Sequence, residues 1–162
     1  MVEIYIDADA CPVKDETIRV ANRHKLKTWL VCDGGIRPSR DPMVELVVVA
    51  QGADAADDWI ADHIQPADIC VTNDIPLAAR CLKQGGLAIK PNGERFTENG
   101  IGMALAQREL MQSLRERGEV TGGPKPFNRR DKSEFLNQLE MAVQSALKMS
   151  GPQSDRTPIT KT

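Results

Sequence analysis

Five short apolar runs alternate with amphipathic segments in the first 90 residues, and this alternation constrains the fold more than any other feature of the chain. Each run is three to seven residues long, which suits a buried strand. The order β-α-β-β-α-β-α-β predicts an α/β fold, with a mostly parallel five-stranded sheet flanked by helices and joined by right-handed crossovers. The predicted strands are 3–6, 28–32, 44–50, 68–72 and 87–89.

The intervening and following segments carry apolar residues at helical spacing and predict five helices. From Ser150 onward the chain is polar and contains proline, which predicts a disordered tail over 150–162 after a single domain over 1–149. The helices are expected over about 13–24, 54–64, 76–83, 102–117 and 132–149.

Several features of the composition predict a cytoplasmic protein without a membrane partner. No apolar stretch approaches the length of a membrane span, and a strand that begins at Glu3 leaves no room for a signal peptide. The four cysteines show no metal-type pairing such as C-x-x-C, and three of them lie in or beside apolar runs, so we expect those three to be small core residues in a reducing compartment. The four cysteines are Cys11, Cys32, Cys70 and Cys81.

Aspartates follow two of the predicted strands. Asp7 and Asp9 come after the first strand, and Asp74 follows the fourth. A single aspartate there is commonly a turn residue or a helix cap, but a D-x-D pair places two charges in one spot. The carboxyl ends of parallel strands share one edge of the sheet, where ligands bind. Because clustered carboxylates repel one another without a cation, this pattern favours a Mg²⁺ or Mn²⁺ site.

A third acidic group lies in the predicted helix between these strands. Asp54 is as suited to capping the helix as to binding a metal. Asp57 and Asp58 lie further in, and we expect one of the two to turn toward the strand ends. Asp62 and Asp68 are expected on the solvated surface.

The two halves of the chain differ in charge, which suits a metal centre beside a surface that binds a polyanion. Residues 1–75 hold 14 acidic and 7 basic side chains, whereas residues 76–162 hold 9 acidic and 14 basic ones. Phe127 could stack on a base, although burial in the core is favoured. The candidates for substrate binding are Thr72, Asn73, Lys14, Arg37, Arg40, Lys125, Arg129 and Arg130.

Two of these motifs resemble nuclease signatures. "VTNDIPLA" resembles the T-x-D-x-x-L signature of PIN-type ribonucleases. "AADDWIA" resembles the E-A-D-D-x-x-A pattern of flap endonucleases and of the 5′ nuclease domain of DNA polymerases, which share that fold. Ala55 replaces the glutamate of that pattern, so a full metal cluster would need Asp9 or Asp54 to substitute. The carboxylates that match these motifs are Asp7, Asp57, Asp58 and Asp74.

A narrower resemblance covers about residues 3–147. The segments "YIDADACPVK", "CDGG", "GADAADDWIA", "TNDIPLA" and "GPKPFNRRDKSEFLNQLE" together resemble the YaiI/YqxD family of uncharacterised bacterial proteins. This resemblance implies a PIN-like fold and carries no established activity.

The leading hypothesis is a nuclease dependent on Mg²⁺ or Mn²⁺ that acts on RNA or single strands. Asp7, Asp58 and Asp74 are predicted to converge and hold the metal, and Asp9, Asp54 and Asp57 to be further ligands or to orient bound water. The predicted catalytic residues are Asp7, Asp9, Asp57, Asp58 and Asp74.

Two alternatives stay open at this level. A phosphatase of the haloacid dehalogenase type also begins with a strand and D-x-D, but Cys11 stands where Thr or Val usually follows, and no convincing downstream lysine motif is present. A non-catalytic member of a nuclease fold that binds nucleic acid or protein is favoured by Ala55.

Overall fold

A five-stranded parallel sheet forms the centre of the computed structural model, which describes residues 1–9, 11–52, 54–119 and 127–150. The strand order is β3-β2-β1-β4-β5, and every strand pairing in it is parallel. The predicted α/β sheet of five strands is therefore confirmed. Its strands are β1 Glu3–Asp7, β2 Lys27–Cys32, β3 Val44–Val48, β4 Ile69–Val71 and β5 Leu87–Ile89.

Five helices flank this sheet, and the side-chain alternation of the strands divides the core between its two faces. Ile4 and Ile6 of β1 lie in the larger cluster, which includes buried residues of the first and last helices. Tyr5, between them, lies in the cluster of the second and third helices. The helices are α1 Lys14–Arg23, α2 Ala55–His63, α3 Ile75–Lys83, α4 Glu98–Glu116 and α5 Arg129–Ser150.

Helices α4 and α5 begin earlier than the apolar spacing predicted, because polar caps start them. The hydroxyl of Thr97 accepts a hydrogen bond from the backbone N–H of Gly100 at 3.0 Å. At α5, Asn128 and Asp131 accept hydrogen bonds from each other's backbone N–H groups. Side chains of this kind satisfy the free N–H groups of a first turn, so a helix can begin without apolar residues.

Asp68 is fully buried, so the expectation of a solvated residue was wrong. Its carboxylate accepts hydrogen bonds from the backbone N–H groups of Glu3, at 3.0 Å, and of Gln65, at 2.9 Å. This aspartate therefore ties the start of β1 to the loop before β4. A buried carboxylate is tolerated there because backbone donors replace the water that it loses.

The sheet topology creates a crevice beside β1. From β1 the chain builds outward through β2 to β3, and it then returns to the other side of β1 for β4 and β5. The strand order thus reverses between β1 and β4, and ligands of open α/β sheets bind at such a switch point, beyond the carboxyl ends of the strands. Asp7 is the last residue of β1 and Thr72 follows β4 directly.

Two expectations concern the ends of the chain and the membrane. Ser150 is the last residue of α5, and the rest of the predicted tail, 151–162, lies outside the described residues. Within the described parts of the chain, no helix is both long enough and apolar enough to cross a bilayer.

Candidate active site

Three aspartates from different elements meet at the carboxyl edge of the sheet. Asp7 ends β1, Asp57 lies in the first turn of α2, and Asp74 is the N-cap of α3. They line an open pocket of about 470 Å³, together with Asp9 and Asp33. The fold thus brings together side chains that are up to 67 residues apart in sequence. We call Asp7, Asp57 and Asp74 the aspartate cluster.

A buried threonine holds two members of this cluster in place. The Thr72 hydroxyl donates a hydrogen bond to Asp7 Oδ2 at 2.9 Å and accepts one from the backbone N–H of Asp74, also at 2.9 Å. Asp74 Oδ1 in turn accepts from the N–H of Leu77 at 2.8 Å, which caps α3. These bonds give Thr72 a positioning role between Asp7 and Asp74. Thr72 also lines the depression beside them, and its contact with substrate stays a prediction.

The electrostatics of the cluster disfavour three negative charges. The pKa of Asp57 is raised to about 7, chiefly by burial and then by the negative charges of Asp74 and Asp7. The pKa of Asp7 is also raised, mainly by burial and then by Asp74 and Asp9, although the bond from Thr72 opposes this. A cation in the pocket would relieve this repulsion.

Asp9 and Asp33 form the outer rim of the same pocket. Both are exposed, and Asp9 Oδ2 accepts a hydrogen bond from the backbone N–H of Asp33 at 3.2 Å. Partial loss of water around its carboxylate raises the pKa of Asp9; the hydrogen bond from the N–H of Asp33 opposes this rise, and the charge of Asp33 adds to it. Asp33 was not among the predicted site residues, because Asp33, Gly34 and Gly35 together are typical of a turn. It nevertheless follows a strand directly, as Asp74 and Asp9 nearly do, and that pattern could have found it.

The structure places Asp57, and not Asp58, in the cluster, which corrects the predicted convergence of Asp7, Asp58 and Asp74. Successive residues of a helix point about 100° apart, so only one of two adjacent aspartates can face the strand ends. Asp58 is exposed, and its Oδ1 accepts a hydrogen bond from Arg80 Nη1 at 2.8 Å. Asp54 occupies the N-cap position of α2, is exposed, and does not line the pocket.

A basic cleft continues from the cluster. A depression of about 350 Å³ beside Asp7 and Asp74 reaches Asn73, Pro91 and Arg108. These last three residues also line a larger cleft of about 920 Å³ between α4 and the start of α5, which we call the basic cleft. The cations that line it are Lys90, Arg108, Arg115 and Arg130.

Only some of the predicted substrate-binding residues lie along this path. Asn73 and Arg130 line the basic cleft. Phe127 lines it as well and is 36% exposed, so the favoured expectation of a core residue was wrong. The described cavities do not include the remaining predicted cations, and Lys125 lies outside the described residues. Those outside the described cavities are Lys14, Arg37, Arg40 and Arg129.

The cations of α4 that line the basic cleft were not among the predicted site residues. Arg108 and Arg115 are seven residues apart, and Ala104 and Met111 lie on the same side of the helix, facing the cleft. Seven residues make nearly two helical turns, so this spacing predicts two arginines on one face. The signal was present in the sequence, but nothing local connected α4 to the aspartates.

The oxygen-rich donors of the cluster suit a hard divalent cation, since Mg²⁺ and Mn²⁺ prefer carboxylates and water. Among the described residues, however, no three His, Cys, Asp or Glu side chains already stand close enough to form a metal cage. The residues therefore fit such an ion by chemistry and charge. Binding would need the carboxylates to be drawn together.

Comparison with known proteins identifies relatives over nearly the whole chain. The profile described as "Uncharacterized BCR, YaiI/YqxD family" matches residues 5–145. A UPF0178 protein of Rhodopseudomonas palustris is 57% identical over 143 residues, which cover 88% of this chain and 90% of the relative. A UPF0178 protein of Parvibaculum lavamentivorans is 51% identical over 152 residues, covering 94% of this chain and 100% of the relative. No solved structure matches the chain.

Proposed function

This chain belongs to the YaiI/YqxD family, and we propose that it is a divalent-metal-dependent nuclease that hydrolyses phosphodiester bonds of RNA or single-stranded nucleic acid. The proposal rests on one observation. The aspartate cluster, whose repelling carboxylates a cation would stabilise, opens directly into a cleft lined by cations. The resemblance of "VTNDIPLA" to PIN-type ribonucleases supports the same reaction.

The aspartate cluster and the basic cleft match two requirements of phosphodiester hydrolysis, which are a bound metal and contacts to the substrate's other phosphates. Carboxylates can hold Mg²⁺ or Mn²⁺, and such an ion would activate water and stabilise the charge on a leaving oxygen. A substrate with several phosphates needs cations further out, and the basic cleft supplies them in a line away from the cluster. A small phosphate monoester would contact only the aspartate cluster and would not need the basic cleft.

Within this proposal the residues have separate tasks. Asp7, Asp57 and Asp74 hold the metal, and Asp9 at the rim orients a bound water. Thr72 fixes the positions of Asp7 and Asp74 relative to each other through its two hydrogen bonds.

The path from the cluster to the basic cleft positions the substrate. Asn73 and Arg108 lie where the two cavities meet, so they contact the phosphate next to the scissile bond. Phe127 offers a face on which a base can stack. We also propose a location in the reducing cytoplasm, in keeping with the four free cysteines.

The test is a cleavage assay with purified protein on end-labelled RNA and single-stranded DNA. We expect cutting with Mn²⁺ or Mg²⁺ and none with a chelator. Asp74→Asn should abolish cutting while the fold survives, because the amide oxygen can still cap α3 but lacks the charge that holds a cation. The control is Asp62→Asn, on the exposed side of α2, which should cut normally.

Other outcomes would assign the site differently. Metal binding with no cleavage of any nucleic acid would favour the non-catalytic binding protein. Release of phosphate from small monoesters, with polynucleotides left intact, would favour the phosphatase.

A further inference from the structure

Helix α4 carries a second, outward face that nothing described in the structure covers. It spans 19 residues, yet none of them is buried. On the inner side of α4, Ile101 packs against a buried cluster. That cluster consists of Ala78 and Leu82 of α3, Ala88 of β5, and Phe96. On the outer side, Met103 is 76% exposed and Leu110 is 55% exposed.

The exposed residues of that side follow a regular spacing. Steps of four and three residues alternate along it, which is the spacing of one helix packed lengthwise on another. All six residues of this stripe, which we call the α4 stripe, are exposed. They are Asn99, Met103, Ala106, Leu110, Ser113 and Arg117.

Large and small side chains alternate in the α4 stripe, and the alternation is complementary to itself. Around a two-fold axis at residue 108, an antiparallel second copy places Leu110 opposite Ala106 and Met103 opposite Ser113. The same register places Arg117 opposite Asn99, where its guanidinium can donate to the amide oxygen and approach the carboxylate of Glu98. Each large residue thus meets a small or polar one, as close helix packing requires.

We propose that the protein forms a two-fold symmetric dimer through antiparallel pairing of the α4 stripes. A two-fold interface requires one patch that complements itself, and this stripe meets that requirement. The segments of the chain that the structure does not describe offer little apolar cover, because 120–126 and 151–162 contain only Val120 and Ile159 as large aliphatic residues. A second copy therefore fits the stripe better than the chain's own ends.

The dimer leaves the candidate active sites accessible. The α4 residues that line the basic cleft, Arg108 and Arg115 among them, lie on the other side of the helix from Met103 and Leu110. Pairing would leave the two basic clefts on the outer sides of the dimer, away from the interface. The dimer does not depend on the proposed nuclease activity.

The first test is the mass of the full chain in solution by light scattering and sedimentation across a concentration series. We expect a concentration-dependent species of twice 17.8 kDa. Met103→Lys together with Leu110→Lys should give a folded monomer, with unchanged circular dichroism. The matched control, Met141→Lys with Met149→Lys on exposed positions of α5, should remain dimeric. A monomeric wild type, or a dimer that survives both lysines in α4, would overturn the proposal.

A second test fixes the register by disulfide cross-linking in a Cys11→Ser background. Two Met103 residues of an antiparallel pair lie about 15 Å apart along the axis, since ten residues rise about 15 Å. A disulfide needs Cα atoms within about 7 Å. Met103→Cys alone and Ser113→Cys alone should therefore not cross-link, whereas an oxidised mixture of the two should. Cross-linking of either single variant with itself would contradict the antiparallel register.

Discussion

Asp57 and Asp74 line the same pocket, although Asp57 lies in α2, Asp74 caps α3, and the two are 17 positions apart in sequence. A nearby negative charge disfavours the ionised form of a carboxyl group. Burial and the charges of Asp74 and Asp7 together raise the pKa of Asp57 to about 7. Three ionised carboxylates in this pocket are therefore unfavourable unless a proton or a cation reduces their charge.

The metal-free protein should lose stability as the pH rises. The pKa of Asp57 rises from 3.8 to about 7 on folding, so the folded state holds the proton more tightly. Its contribution is fully present below pH 3.8 and is lost as the pH passes through about 7. Urea unfolding in a chelator should show this decline, and Asp57→Asn should flatten it. An equal slope in wild type and Asp57→Asn would contradict the raised pKa of Asp57, and Asp62→Asn serves as the control.

Adjacent aspartates of α2 should differ sharply in metal binding. Asp57→Asn removes a carboxylate that faces Asp7 and Asp74, so we expect Mn²⁺ affinity and cleavage to fall at least tenfold. Asp58→Asn only weakens an exposed ion pair with Arg80, worth less than about 1 kcal/mol, and should leave both properties unchanged. Calorimetric Mn²⁺ titration checks this. The reverse order of the two variants would show that Asp58 turns inward.

Thr72→Val should reduce cleavage without touching a metal ligand. The valine leaves the N–H of Asp74 without its acceptor and frees Asp7 Oδ2, which should cost about 1–2 kcal/mol of unfolding free energy. Thr72→Ser restores the hydroxyl and should restore cleavage. A merely space-filling role would instead make serine the poorer variant, because it lacks the methyl group.

Arg108→Ala should weaken the binding of single-stranded RNA and lower its salt dependence. If Arg108 contacts one phosphate, the slope of log affinity against log salt should fall by about 0.7. Arg37→Ala removes an equal charge from an exposed loop outside the described cavities and should leave the slope unchanged. Fluorescence anisotropy at several salt concentrations measures both. Equal slopes for Arg108→Ala and wild type would show that the bound RNA does not contact Arg108.

Asp68→Ala should destabilise the fold strongly and leave the cleavage activity of the folded protein unchanged. Two backbone N–H groups lose their acceptor, which should lower the unfolding free energy by about 2–4 kcal/mol. Asp62→Ala, at an exposed position, should change it by less than about 0.5 kcal/mol. The folded fraction of Asp68→Ala should retain normal cleavage per molecule, and a loss of cleavage greater than the loss of folded protein would contradict a purely structural role.

The fold could be predicted from the sequence because its signals are local. Short apolar runs separated by helical spacing require a layered α/β arrangement, and carboxylates after parallel strands must meet at one edge. Asp7 and Asp74 follow from that rule alone. The helix starts at Glu98 and Arg129 were missed because polar caps, and not apolar spacing, set them.

The sequence by itself determined that aspartates would gather at one edge of a parallel sheet. The alternation of short apolar runs with helical segments is a local pattern, and it predicts parallel strands whose carboxyl ends share one edge. Only the tertiary structure decided which aspartate of α2 faces inward, because that depends on the rotation of the helix against the sheet. It likewise buried Asp68 and exposed Phe127, and it brought Arg108 of α4 beside the aspartates. Those outcomes depend on long-range packing between helices and strands, which no local spacing encodes.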